Sequence, residues 1–169
     1  MDRITQIEES LKAVLLAVDG SMVDAYQYLN DVKSVYFEQE DEVVSVTKSA
    51  NNRYPTVCVK MDPNENILDG EATAYVNELF YILECKVSLT KPESNPRQAL
   101  KVEMNKLSQD IKFAISNDYH LTGTCDEAEL TSLTRSYYDD GKAMRNGQLN
   151  IGLRITYTQS RLNPAINCQ

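Results

Sequence analysis

The chain has 169 residues and a mass of 19.1 kDa, which suits a single domain with an ordinary hydrophobic core. Its 42% hydrophobic and 25% charged residues exclude a globally disordered chain. Its net charge of −8 argues against a surface that grips nucleic acid or an anionic membrane. No apolar run approaches the roughly 18 residues of a membrane span, and no signal-peptide pattern opens the sequence. We therefore expect one domain over residues 1–169, made in the cytoplasm, with no membrane partner.

The N-terminal segment from Asp2 to Val18 predicts an amphipathic helix. Its apolar residues recur at helical spacing, and they are Ile4, Ile7, Leu11, Val14, Leu15 and Val18. Gly20 predicts the stop, because glycine readily adopts the left-handed conformation that ends helices. The pattern from Met22 to Asn30 is mixed and allows a short second helix.

Runs of β-branched and aromatic residues predict three strands in the next part of the chain, at Val32–Phe37, Val43–Thr47 and Thr56–Met61. The acidic run Glu38–Glu42 separates the first two and suits an exposed loop or the tip of a hairpin. The third strand is expected to be central in the sheet. Turn residues from Asp62 to Asn66 should end it.

A long strand is predicted from Tyr75 to Leu89, where alternate residues form one largely apolar face. Phe80 and Ile82 give its middle a second apolar face, so we expect burial on both sides there. At about fifteen residues the segment exceeds the usual strand length, so part of it should project beyond the sheet.

Asn95 and Pro96 predict the start of a second long helix, because asparagine caps helices and proline suits the first helical position. Its apolar stripe runs to about Asn117 and consists of Leu100, Met104, Leu107, Ile111, Ala114 and Ile115. Two helices with single apolar stripes, together with strands that mostly alternate, predict an α+β fold. In that fold an antiparallel or mixed β-sheet carries the two amphipathic helices packed on one face.

The clearest strand in the sequence is Gln148–Thr158, where apolar residues alternate strictly with polar residues or glycine. One face must therefore lie on a core, while Arg154 and its neighbours on the other face meet water or a partner. The segment Ala128–Tyr138 predicts a polar strand rich in threonine and tyrosine. Because only the loop 139–147 joins them, these two strands should pair antiparallel.

No residue pattern predicts catalysis, a cofactor or a metal ion. The single histidine, His120, lies in a loop without a serine or cysteine motif, and no hydrolase or nucleotide-binding motif occurs. Loop carboxylates at Asp118, Asp126 and Asp139–Asp140 are of the type that binds cations, but such residues are far more often unligated. Widely spaced cysteines without a CxxC pair favour buried free thiols over a zinc or disulfide framework. They are Cys58, Cys85, Cys125 and Cys168.

Ten tyrosines and no tryptophan are the unusual feature of the composition. Tyrosine pairs a large apolar ring with a polar tip, so it suits half-buried sheet positions and protein interfaces alike. Packing within the sheet and an assembly surface therefore both stay open as explanations of the tyrosine content. The run Arg135–Tyr138 also has the basic and aromatic residues that stack on single-stranded nucleic acid, which the net charge disfavours.

Three short runs accompany this order of elements: Tyr54–Val59 (YPTVCV), Lys106–Ile111 (KLSQDI) and Ile151–Tyr157 (IGLRITY). Together they resemble the tail terminator proteins of long-tailed bacteriophages, also called tail completion or minor tail proteins. The resemblance implies a structural virion protein without a catalytic centre or cofactor, forming a hexameric ring on the end of the tail tube. Such a ring ends tube polymerisation and forms the joint to the head. The implied partners are its own copies, the tail tube protein and a head completion or connector protein, with DNA passing through the lumen without specific binding.

A ring would place subunit contacts on the polar strand at Thr131–Tyr138, on the loop 139–147 and on the outward face of the last strand. The candidate interface residues are Arg135, Tyr137, Tyr138, Arg145 and Arg154. We expect Arg154→Glu to weaken assembly while leaving the fold intact.

Two parts of the chain depart from the smaller members of this family. The region Met22–Asn52 is longer and more acidic, and residues 161–169 form a C-terminal extension beyond the last strand. Two alternatives to a terminator stay open: another head-to-tail joining (neck) or tail-tube-like structural protein, and a small non-catalytic binding domain. An enzyme is disfavoured because no nucleophile, base and orienting group occur as a recognisable set.

Overall fold

The computed structural model describes residues 2–38, 54–63, 65–68, 73–138 and 145–160, and the fold is of the predicted α+β class. In chain order the described elements are α1 (Arg3–Leu16), β1 (Met22–Val23), β2 (Tyr26–Gln27), β3 (Ser34–Phe37), β4 (Thr56–Met61), β5 (Asn66–Leu68), β6 (Ala74–Ser88), α2 (Pro96–Asn117), β7 (Glu127–Tyr138) and β8 (Asn146–Ser160). The predictions for Val43–Thr47, for the acidic residues after Glu38, for most of the loop 139–147, for the extension 161–169 and for Cys168 lie outside the described residues.

Six strands form one mixed sheet. The order across it is β3–β4–β6–β8–β7, and β5 pairs with β6 on the same side as β4. β3 and β4 run parallel, whereas the other described pairs of this sheet are antiparallel. β6 and β8 pair over all 15 residues of each strand and form the middle of the sheet. The predicted antiparallel pairing of β7 with β8 is confirmed.

One face of the sheet, here called the helix face, packs against α1 and α2 as predicted. On β8 it carries five side chains that are at most 2% exposed: Leu149, Ile151, Leu153, Ile155 and Tyr157. Leu11 and Leu15 of α1 and Leu107 and Ile111 of α2 belong to the same buried cluster. Each large aliphatic side chain buried in this way stabilises the fold by about 1.5–3 kcal/mol relative to exposure. The opposite face, here called the open face, has no described helix over it.

Both long helices begin where the sequence predicts. Asp2 caps α1 by accepting a hydrogen bond from Thr5 N–H at 3.0 Å, and Asn95 caps α2 in the same manner. Gly20 has the expected left-handed conformation, with φ 81°, although α1 already ends at Leu16. The two helix predictions are therefore confirmed, with small shifts at the ends.

The possible short helix over residues 22–30 is not formed, and that interpretation is wrong, because this segment contains the hairpin β1–β2. Asp24 and Ala25 both have positive φ, 48° and 65°, as in the two-residue turn whose twist matches that of paired strands. The ring of Tyr26 stacks on Phe113 of α2 with centroids 4.1 Å apart. Contacts with α2 therefore decide the conformation here, and the local sequence gives no sign of them.

β6 is confirmed as a long strand, but two expectations for it are wrong. It pairs with β8 along all 15 residues and so does not project beyond the sheet, and its middle is not buried on both sides. Ile82 on the open face is 50% exposed, and Phe80 beside it is half-buried. The reason is that no described element covers the open face. β5 is an additional strand that the sequence did not predict, and in it Asn66, expected to belong only to a turn, pairs with Glu78 of β6.

Candidate assembly interface

Among the described strands, β7 pairs with β8 alone and so lies at one edge of the sheet. At its start, Ala128 N–H donates to the carbonyl oxygen of Tyr119 at 2.7 Å, so the loop after α2 covers that end of the outer edge. From Leu130 to Tyr138, here called the free edge, no described strand pairs with the outer side of β7. An unpaired row of backbone N–H and C=O groups is a ready template for a strand from another chain.

A bulge shapes the start of the free edge. The register with β8 shifts between Leu130 and Ser132, which leaves Thr131 as the extra residue. Gly152 on β8 makes room for it, because a Cβ there would lie 2.7 Å from Thr131 Oγ1 and closer still to Ser132 Oγ. Glycine therefore fits opposite the bulge, where a side chain would collide. The bulge in turn increases the local twist of the edge.

Two of the predicted interface residues, Arg135 and Tyr137, lie on the helix face of the free edge beside α2. Arg135 is exposed and donates to Asn105 Oδ1 of α2 at 2.7 Å. Tyr137 is half-buried, and the guanidinium of Arg97 lies 4.8 Å from its ring centroid. The first turns of α2 and the last residues of β7 therefore form one continuous surface.

Three exposed cations meet on this surface, Arg97, Lys101 and Arg135, here called the basic ridge. Lys101 lies one helical turn after Arg97 and one turn before Asn105, so it stands between the other two cations. Within the described part of the chain, none of the three has a carboxylate partner. The sequence interpretation missed Arg97 and Lys101. Their spacing puts them on one side of a helix, but nothing in the sequence shows that β7 lies beside that side.

Tyr138 and Arg145 lie at the far end of the β7–β8 pair. Tyr138 is 49% exposed and donates to Gln148 Oε1 at 2.7 Å. Arg145 is exposed, and its carbonyl oxygen accepts a hydrogen bond from Leu89 N–H at 2.8 Å. A groove of about 370 Å³ opens between Tyr138 and Tyr54. Both predicted residues therefore adjoin the free edge at the end of the sheet.

Arg154, the fifth predicted interface residue, lies apart from the others on the open face of β8. It pairs with Glu78 of β6 at 3.5 Å and with Glu129 of β7. The hydrogen bond and charge of Glu129 raise the pKa of Arg154 above its usual value. Because β8 has a strand on each side, it offers a partner only side chains, and the charge of Arg154 is already paired. Reversal to glutamate would set three carboxylates together, so this geometry does not support the expectation that Arg154→Glu leaves the fold untouched.

A second group of ion pairs lies farther along the open face. Lys60 of β4 pairs with Glu84 of β6 at 2.9 Å, and Lys86 lies 3.8 Å from the same carboxylate. Phe80 and Ile82 lie along β6 between this group and the Arg154 group. The open face is therefore a mixed surface of paired charges and a short apolar strip.

The histidine and the described loop carboxylates considered above for catalysis or cation binding make contacts that stabilise their own loops. The Nδ1 atom of His120 lies 2.7 Å from the carbonyl oxygen of Asp126, and its ring packs 3.9 Å from that of Tyr119. Asp118 accepts hydrogen bonds from a backbone N–H in its own loop. Over the residues that the structure describes, no group of three His, Cys, Asp or Glu side chains could hold a metal ion. Asp139–Asp140 fall outside those residues.

Cys58, Cys85 and Cys125 are buried free thiols, as the sequence predicts. Burial raises the pKa of Cys125 to about 12 and holds the pKa values of Cys58 and Cys85 above their usual range. These thiols are therefore protonated at neutral pH and are poor nucleophiles.

Neither described helix contains an apolar stretch of the length and composition needed to cross a bilayer. Compared with known proteins, the sequence matches no protein-family model and no curated protein.

Proposed function

We propose that this chain is a structural virion protein that caps the end of a phage tail tube as a ring, ends tube polymerisation and forms the joint to the head. The observation that carries the proposal is the free edge, because β7 is a strand of 12 residues that has a described neighbouring strand on one side only. At the opposite edge of the sheet, β3 pairs with β4 alone among the described strands. A sheet whose described strands leave both edges unpaired can continue through further copies of itself, and repeated head-to-tail contacts close into a ring when the rotation between copies allows.

The composition of the free edge supports a protein contact. Arg135, Tyr137 and Tyr138 are of the residue types that are enriched at protein interfaces. Their aromatic rings and planar guanidinium can bury area while keeping their polar atoms hydrogen-bonded. The proposed partners are therefore further copies of this chain, the tail tube protein and the head completion or connector protein.

The net charge supports a conduit for DNA. A chain with a net charge of −8 repels the phosphate backbone rather than holding it, so DNA can slide through a lumen made of such subunits. We accordingly place the protein in the tail or neck of the virion, assembled in the host cytoplasm, with DNA passing through without specific binding.

Polymerisation of tail tube protein in the presence of this chain tests the proposal. Negative-stain microscopy should show shorter tubes with a ring at one end, and any ring free in solution should have roughly six times the 19.1 kDa mass of the chain. Incorporation along the whole tube would instead favour a tail-tube-like subunit. Tubes of unchanged length without bound chain would reject the proposal.

A further inference from the structure

The basic ridge lacks an acidic partner within the described residues, yet the chain carries a run of opposite charge. Glu38–Glu42 contains four carboxylates in five residues. Glu38 is exposed just after β3, at the edge of the described sheet opposite to β7, and its ion pair with Lys60 is long at 3.8 Å. Cations without a described carboxylate partner, beside a strand edge without a described neighbour, suit an acidic extended segment, which can add backbone hydrogen bonds as well as ion pairs.

We propose that the basic ridge and the free edge receive, from a second copy of this chain, the acidic segment that begins at Glu38. The contact is head-to-tail, because the ridge and the acidic segment belong to opposite edges of the sheet. This contact depends on the self-assembly proposed above and specifies which two surfaces of the chain meet.

Distances favour a second copy over the same chain. β3 and β7 are four strand spacings apart, which is about 19 Å across the sheet. The chain leaves the sheet at Glu38 and returns at Tyr54, just before β4, so a segment that reached its own β7 would cross the sheet twice. The roughly fifteen intervening residues span at most about 50 Å, which leaves few of them to lie along the free edge.

The same cations oppose a symmetric contact between two β7 edges. Two-fold pairing of β7 with itself would bring the ridge of one copy against the ridge of the other, and like charges at close range repel. A cation such as Arg135 in the middle of an edge strand protects against such pairing. An acidic segment meets no such barrier.

Charge reversal on the full chain tests the contact. Lys101→Glu reverses the ridge, Glu40→Lys reverses the acidic segment, and the double variant exchanges the two charges. Lys112→Glu is the matched control, because Lys112 is also exposed on α2 without an ion pair to a described residue and lies about 16 Å along the helix from Lys101. Sedimentation equilibrium at low ionic strength measures the dissociation constant for self-association, and thermal unfolding checks that every variant folds.

Each of the two single reversals should raise the dissociation constant about tenfold or more, and the double variant should return it to within about threefold of the wild type. Lys112→Glu should leave it unchanged. Equal behaviour of Lys101→Glu and Lys112→Glu would overturn the contact, as would an effect of Lys101→Glu without one of Glu40→Lys, or a wild type that stays monomeric in solution. Rings on tube ends that ignore these reversals would overturn only this contact, whereas a failure to cap tubes would reject the proposed function itself.

Discussion

Tyr26 donates its phenolic hydrogen to the carboxylate of Asp110 at 2.9 Å, across 84 positions of sequence. Asp110 is fully buried on α2. It also accepts hydrogen bonds from Leu29 N–H and from the backbone and side-chain N–H groups of Asn30, the shortest at 2.7 Å. One carboxylate thus holds the hairpin β1–β2 and the residues after it against the helix.

Replacing Asp110 by alanine should lower the free energy of unfolding by about 3 kcal/mol, because four part-buried donor groups lose their acceptor together. Urea denaturation followed by circular dichroism measures the change. Gln109→Ala, at an exposed neighbouring position on the same helix, is the matched control and should stay within about 0.5 kcal/mol of the wild type. Similar losses in the two variants would show that the carboxylate does not hold the hairpin.

Stability should fall in alkali partly through Tyr26. Burial, and then the hydrogen bond to Asp110, raise the pKa of Tyr26 from 10.0 to about 12. Because the folded-state pKa lies above the unfolded one, this contribution is fully present below about pH 10 and is lost as the pH rises through about 12. The loss of unfolding free energy between about pH 9 and about pH 11 should therefore be smaller for Tyr26→Phe than for the wild type. A slope for Tyr26→Phe equal to that of the wild type would contradict this account.

Gly152→Ala should destabilise the fold by about 1–3 kcal/mol, because the new methyl group collides with the two hydroxyl groups of the bulge in β7. Removing the nearer of them in Gly152→Ala/Ser132→Ala should recover part of the loss, while Ser132→Ala alone should have little effect. Chemical denaturation of the three variants measures this. Additive losses in the double variant would show that crowding at the bulge is not the cause.

Arg154→Glu should lower the melting temperature, because it sets a third carboxylate between Glu78 and Glu129. Adding Glu129→Arg should restore much of the loss by exchanging the charges. Arg154→Gln removes the attraction without adding repulsion and should destabilise less. Thermal unfolding at low and high ionic strength measures the series, and salt should narrow the difference between the glutamate and glutamine variants. Identical melting temperatures for those two variants would mean that the ion pairs do not matter for the fold.

The elements that could be predicted from sequence are those whose pattern is complete within one segment. The alternation in β8 and the apolar stripe of α2 both face one core, so each segment encodes its own structure. The hairpin β1–β2 does not, because Asp110 and Phe113 fix it from a distant part of the chain. The exposed face of β6 was misjudged for a related reason: apolar residues such as Ile82 indicate burial only where another element covers them.

The candidate interface could be predicted only in part. Thr131–Tyr138 was recognised as a polar strand beside β8, and its position at a sheet edge leaves it open for contacts. The cations that lie beside this strand are set by how α2 packs on the sheet. The sequence does not show that packing, so it does not predict that Lys101 belongs to the interface. Arg154 was included because alternation puts it opposite the core, but its two carboxylate partners come from other strands.

The position of this chain in an intact virion tests the central claim most directly. An epitope-tagged chain, located by immunogold electron microscopy on purified virions, should give label only at the junction of capsid and tail. Label along the tube or at its far tip, or virions that lack the chain, would contradict a subunit that closes the tube and joins it to the head.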